Sequence, residues 1–230
     1  MFFSERRIGI RAIRHVICKK EENSMKLYHQ SGTCSLASRI ALEESGVAYE
    51  AARVVCERTG NAVRQSLPDG SDFRAVSPLG YVPVLELEDG RRLFENPAIL
   101  LYIADHAPGK NLAPSPDNGF ARAKVLERLC FISSEVHKGF VPLFVGAPEP
   151  SKDAARQRLR ELFAWLDREL QGREYQFASG FTVADAYLFT VLSWTEFARV
   201  DLGGLENIAA FRVRIAARPT VTRALALEKA

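Results

Sequence analysis

Histidine and cysteine are scarce, four of each in 230 residues. Cys18, Cys34, Cys56 and Cys130 lie far apart, with no CxxC pair and no Cys/His group at zinc-ligand spacing. That pattern argues against a disulfide scaffold and against a structural zinc site, and it fits a reducing compartment, the cytoplasm. No apolar run approaches the ~20 residues that a membrane-spanning helix needs. Repeats and low-complexity tracts are missing too. Charge of one sign is nearly absent: the formal net charge is +3. Arg6, Arg7, Arg11, Arg14, Lys19 and Lys20 against Glu5, Glu21 and Glu22 account for all of it. Residues 25–230 therefore balance, and they carry no basic footprint for nucleic acid.

Residues 1–24 are Arg-rich but have neither an apolar h-region nor a small-residue cleavage site, so they do not read as a secretory signal. We read them as an extension upstream of the true start, with Met25 opening the domain. The remaining chain is long enough, at 47% hydrophobic residues overall, to build a sizeable core in one or two domains.

Lys26–His29 reads as a short strand, and the apolar positions from Ser35 predict a helix that Gly46 ends. Val47–Val55 reads as a second strand. The polar stretch 56–75 carries the turn signal Pro68-Asp69-Gly70 and predicts a short helix. Tyr81–Leu87 and Arg92–Phe94 read as hairpin strands around Asp89-Gly90. Asn96-Pro97 predicts a helix start with Asn96 as the cap, running to about Ala107. The order β-α-β then β-β-α gives an α/β unit of thioredoxin-like type at 25–107.

A linker rich in Pro, Asn and Ser follows at 108–118, and 119–230 reads as all-α. Its helices are expected at Phe120–Lys138, Ser151–Leu170 and Leu205–Ala217, the last stopped by Pro219. Thr182-Val183-Ala184-Asp185 forms a capping box that opens an apolar helix.

Cys34 sits between a turn and the first residues of a helix, in SGTCSLASR. Taken alone it reads either as a small apolar core residue or as a sulfur that the helix N-terminus holds as thiolate. Val82-Pro83 places a proline inside a strand pattern, and a cis peptide bond reconciles the two.

Four stretches carry a family resemblance: MKLYHQSGTCSLASRIALEES (25–45), Pro78–Val84 with Leu101–Asp105, SEVHKGFVPLF (134–144) and FTVADAYLFTV (181–191). In that order and at those intervals, the chain from 25 to 230 resembles a bacterial cytosolic glutathione S-transferase of the beta class. The resemblance implies a thioredoxin-like domain followed by the helical C-terminal domain of that family. It implies reduced glutathione as co-substrate, a small electrophilic acceptor, a homodimer, a cytoplasmic location, and no metal, nucleic acid or membrane.

The resemblance also implies the site. Cys34 matches the cysteine that contacts the glutathione sulfur and can form a mixed disulfide with it. His137 matches a histidine near the same thiol. Val82, before Pro83, matches the residue whose backbone pairs with the cysteinyl part of glutathione. Glu95 and Asn96 fall where the family usually has Glu-Ser to hold the γ-glutamyl group, and Ser134 and Lys138 are implied as further contacts. Gln65, Tyr81, Asn96 and Cys130 depart from the usual residues. Trp194 and Phe197 are expected to line an apolar acceptor site. The competing class is a non-enzymatic ligand carrier or regulatory protein on the same scaffold.

Overall fold

The computed structural model describes residues 25–59 and 62–229. The extension proposed for residues 1–24, and Cys18 with it, lies outside the described residues. The first unit opens with β1 (Met25–His29), then α1 (Ser35–Ser45) and β2 (Tyr49–Arg53). After β5 (Val84–Glu86) and β6 (Arg92–Leu93) comes α2 (Asn96–Asp105). These four strands form one sheet in the order β2-β1-β5-β6. β1 and β2 run parallel, with Met25 opposite Tyr49 and His29 opposite Arg53. β1 pairs antiparallel with β5, and β5 with β6. This is the mixed sheet that the two halves of the sequence pattern predict.

Two expectations change here. The second strand stops at Arg53, and residues 56–75 do not form an ordinary helix. Instead β3 (Val55–Thr59) and β4 (Ala62–Ser66) make a separate antiparallel hairpin, followed by a single 3-10 turn at Phe73–Ala75. Val55 and Val63 on the hairpin are exposed, so neither strand has the buried alternation that announces a strand in sequence. The hairpin is tied back where Gln65 Nε2 donates to the Gly80 carbonyl at 2.8 Å. Gly80 suits that approach: its φ of +68° favours glycine, and a Cβ there would crowd the Gln65 amide.

The second unit is helical. α3 (Gly119–Phe131) passes into a π-helical stretch at Ile132–His137, then α4 (Val141–Phe144) and α5 (Glu149–Glu169). α6 (Val183–Leu192), α7 (Thr195–Ala198), α8 (Glu206–Ala216) and α9 (Pro219–Lys229) complete it. Proline 219 does not simply stop a helix, as the sequence reading had it. It also opens α9, because its fixed φ and missing N–H suit a first helical turn.

Every residue of α6 is buried, as a helix apolar all round requires. Its capping box is present: Asp185 accepts from the Thr182 N–H at 2.7 Å and from Thr182 Oγ1 at 2.9 Å. Asp185 also takes the Gln176 N–H at 2.9 Å. Burial nevertheless pushes its pKa up to about 6 against those bonds.

One continuous core spans both units. Leu27, Ile40, Leu85, Ile99 and Ile103 pack in it with Phe163, Val183, Leu188 and Phe211. A smaller cluster of Tyr28, Val54, Phe73 and Val84 fills another part of the first unit. Full burial of such a side chain stabilises by about 1.5–3 kcal/mol, so the shared core rather than the short strands holds the two units together.

Candidate active site

The turn after β1 brings Cys34 to the N-terminus of α1 as its capping residue. The Val82–Pro83 bond is cis, as the proline in a strand pattern predicts. It presents the Val82 carbonyl to Cys34, whose Sγ donates to it at 3.2 Å.

Of the two readings of Cys34, its surroundings do not favour the thiolate. Burial pushes the thiol up to about 12. Three observations explain why the helix does not win. The next amides are taken by backbone carbonyls, Leu36 N–H donating to Thr33 and Ala37 N–H to Cys34, and the Cys34 amide, which does favour the anion, is outweighed by burial. The sulfur faces the Val82 carbonyl, an acceptor that favours the protonated form. Glu95 is close enough to raise the thiol further, and Lys138 opposes it only in part.

α2 starts beside Cys34, but its cap is not Asn96. Glu95 holds the capping position at φ +67°, ψ 122°, and Asn96 is the first helical residue. A side chain bearing a Cβ rarely adopts such a φ, and residues held there gather at ligand clamps. Glu95 is exposed at this point. Asn96 is buried and already bonded: it accepts from Ser38 Oγ at 2.8 Å and donates to the Cys34 carbonyl at 2.9 Å. It therefore cross-links the starts of α1 and α2.

His137 ends the π-helical stretch, a helix type that recurs at functional sites. Its Nδ1 lies 2.8 Å from the Tyr187 hydroxyl on α6. Burial pushes the Tyr187 phenol up, while Ser133 and Asn96 approach the same oxygen and partly oppose the rise. The Tyr187 hydroxyl and His137 Nδ1 are thus partners in one hydrogen bond that joins α6 to the π-helical stretch. Burial lowers His137 to about 4, with Lys138 adding to the shift, so the ring is neutral.

Lys138 reaches toward Tyr81, its Nζ 6.0 Å from the ring centroid. The residue before Val82 and the residue after His137 thus meet across the cleft. Ser134 is exposed and its hydroxyl turns to Glu135. Ser133, not Ser134, is the serine on the Tyr187 side. An aromatic shelf continues outward from His137: Trp194 at 5.0 Å between centroids, then Phe144 at 5.8 Å from Trp194, then Phe197 at 6.1 Å from Phe144. Phe197 is 82% exposed.

Tyr187 is the residue that sequence reasoning passed over. The available signal is a hydroxyl on a helix that is otherwise wholly buried, where a phenol needs a partner. Cys56 and Cys130 are exposed and apart from the site. Among the described residues, no group of three His, Cys, Asp or Glu side chains is placed to hold a metal ion, and no helix is long and apolar enough to cross a membrane.

Comparison with known proteins gives two family models. That of the glutathione S-transferase N-terminal domain matches residues 32–106, and that of the glutathione S-transferase C-terminal domain matches residues 129–219. The glutathione S-transferase GstA of Escherichia coli O157:H7 is 42% identical over 205 residues, covering 89% of this chain and 98% of the relative. The structure of a sphingomonad glutathione S-transferase complexed with glutathione superposes with a TM-score of 0.82 at 42% identity, over 89% of this chain and 98% of that one. A bacterial beta-class glutathione S-transferase of Sphingomonas chungbukensis gives a TM-score of 0.81 at 43% identity, over 88% and 98%.

Proposed function

The chain belongs to the glutathione S-transferase family, and from that premise we propose that it binds reduced glutathione in the cleft between its two units and transfers the thiolate to a small, apolar electrophile. The observation that carries this reading is the meeting of Cys34 and Val82 on one wall with His137 and Lys138 on the other. In it, Val82 offers backbone groups to the cysteinyl part of glutathione. Glu95 receives the α-ammonium, and the first amides of α2, at Asn96, receive the carboxylate. Lys138 supplies positive charge, with Ser134 a more distant contact.

The chemistry follows from the protonation states. A glutathione thiol of ordinary pKa, about 8.5 to 9, is mostly protonated at neutral pH. Cys34 remains a neutral thiol, so it serves as a hydrogen-bond donor to an arriving sulfur anion rather than as a competing nucleophile. His137, held by Tyr187, orients the same sulfur, and Lys138 stabilises its negative charge. The electrophile rests on the shelf formed by Trp194, Phe144 and Phe197. The glutathione thiol releases its proton to solvent, the resulting sulfur anion attacks the acceptor carbon, and the acceptor's leaving group departs with the electron pair. Cys34 can also attack a glutathione disulfide, which forms the mixed disulfide and releases one glutathione. Its raised pKa makes that the slower path at neutral pH.

We also propose that the protein works in the cytoplasm and pairs as a homodimer. The exposed Phe94, Phe120 and Leu126, at the starts of α2 and α3 and along α3, are the apolar side chains such pairing would cover. Retention on immobilised glutathione, followed by conjugation of a chloronitrobenzene acceptor, tests the enzyme reading. Retention with no turnover of any electrophile or disulfide would favour a ligand carrier instead.

A further inference from the structure

Behind the cleft, on the far side of the Cys34 turn, lies a second polar cluster that the reaction does not use. Arg39 of α1 and His29 of β1 are 2% and 4% exposed. Arg39 Nη2 meets His29 Nε2 at 2.5 Å. A guanidinium only donates, so Nε2 accepts and the His29 proton sits on Nδ1. That nitrogen faces Glu228 Oε1, from the last turn of α9, at 3.6 Å. Arg39 Nε lies 3.5 Å from the same oxygen. The other carboxylate oxygen, Oε2, accepts the Gly32 N–H at 3.1 Å. Gly32 is two residues before Cys34 and stands at φ +75°.

α9 is pinned so that it delivers this carboxylate. Arg218, just before the helix, donates through Nε and Nη2 to Glu44 at 2.6 and 2.9 Å, and Thr220 donates to Glu44 as well. Arg223 pairs with Glu43. Glu43 and Glu44 are at the C-terminal end of α1. The ten steps from Arg218 to Glu228 rise ~15 Å, and the nine steps of α1 from Glu44 back to Ser35 rise ~14 Å. The two helices lie in opposite directions, with Val221 and Ala224 fully buried between the ends. Pinning one end of α9 to Glu44 therefore brings Glu228 to the turn that precedes Cys34. The groups facing this carboxylate are Arg39, His29 and, farther off, Arg53.

We infer that Glu228 is a positioning residue for the catalytic turn: α9 straps α1 along its length, and the Glu228 carboxylate fixes the Gly32 amide against the buried Arg39–His29 pair, which sets where Cys34 stands. The strap lies wholly outside the cleft. Its function does not require that glutathione be the substrate.

The test uses the full chain and a readout that needs no turnover. Wild type, Glu228→Ala and Glu228→Gln are alkylated with iodoacetamide, and Cys34 and Cys130 labelling are followed by peptide mass spectrometry alongside amide exchange of the peptide containing Gly32. In Glu228→Ala, Cys34 labelling is expected to rise about tenfold, the loss of one charge-assisted hydrogen bond, and Gly32 exchange to accelerate with it. Cys130, exposed on α3, should be unchanged. Glu228→Gln has the same shape and retains an acceptor oxygen, so it should restore part of the protection. Cys34 labelling and Gly32 exchange that stay at wild-type rates in Glu228→Ala overturn the inference. So does an equal rise at Cys34 and Cys130, which reports general loosening instead.

Discussion

The first turn of α1 has two polar surroundings that differ in kind. In front, the hydrogen bonds are between neutral groups, Ser38 to Asn96 to the Cys34 carbonyl, Cys34 to Val82 and, separately, Tyr187 to His137, with Glu95 and Lys138 exposed beside them. Behind, Arg39, His29 and Glu228 place formal charge in the interior. Each side contains a histidine, buried behind and half-buried in front, lowered to about 4 by desolvation first; Lys138 adds to the shift in front, and Arg39 and Arg53 add to it behind. The contrast has a physical reading. Neutral hydrogen bonds exchange partners at small cost, so the front can turn toward a ligand. A buried charge cannot be left unpaired, so the rear holds still.

That contrast is sharpest if the rear costs more to disturb than the front. Arg39→Met should lower stability by about 3–5 kcal/mol in urea unfolding, because it strands the Glu228 carboxylate in the interior; a loss under about 1 kcal/mol would erase the distinction. In front, His137→Ala should lower kcat by roughly 10²-fold and leave the KM for glutathione nearly unchanged, measured by steady-state conjugation. Equal turnover in that variant removes His137 from the chemistry. Tyr187→Phe should reduce kcat by about tenfold with little change in urea midpoint, since it frees the imidazole and removes no charge.

The smallest expected effect is on pH. His137 is held below its unfolded pKa of about 6.5, so it is neutral throughout the neutral range. The profile of kcat/KM should therefore show no inflection near pH 6.5 from this residue. By the same sign, the stability that both histidines contribute is complete above about pH 6.5 and is lost as pH falls toward about 4, because the unfolded chain binds the protons first.

What the sequence reveals follows the reach of each interaction. The αL stop at Gly46, the Asp89-Gly90 turn and the Thr182–Asp185 box are local, and each stands where its residues indicate. Cys34 is found at a helix start, yet its protonation was not legible, because that depends on where the Thr33 carbonyl and the Val82 carbonyl point. Asn96 carries a good cap side chain, but tertiary bonds to Ser38 and Cys34 claim it, and the cap passes to Glu95. Among the hairpin residues whose burial is described, none of β3 or β4 is buried, and so no pattern announces it. The partnerships of Tyr187 with His137 and of Glu228 with Gly32 join residues 50 and 196 positions apart, a separation that no periodicity encodes.

The shared core has a consequence for motion. Ile99 and Ile103 of α2 and Val183 and Leu188 of α6 belong to a single interior, so the two units cannot swing apart as a hinge without wetting it. Ligand entry has to be managed by side chains at the rim, such as Tyr81, Lys138 and Phe197. Heating should melt both units in one calorimetric peak.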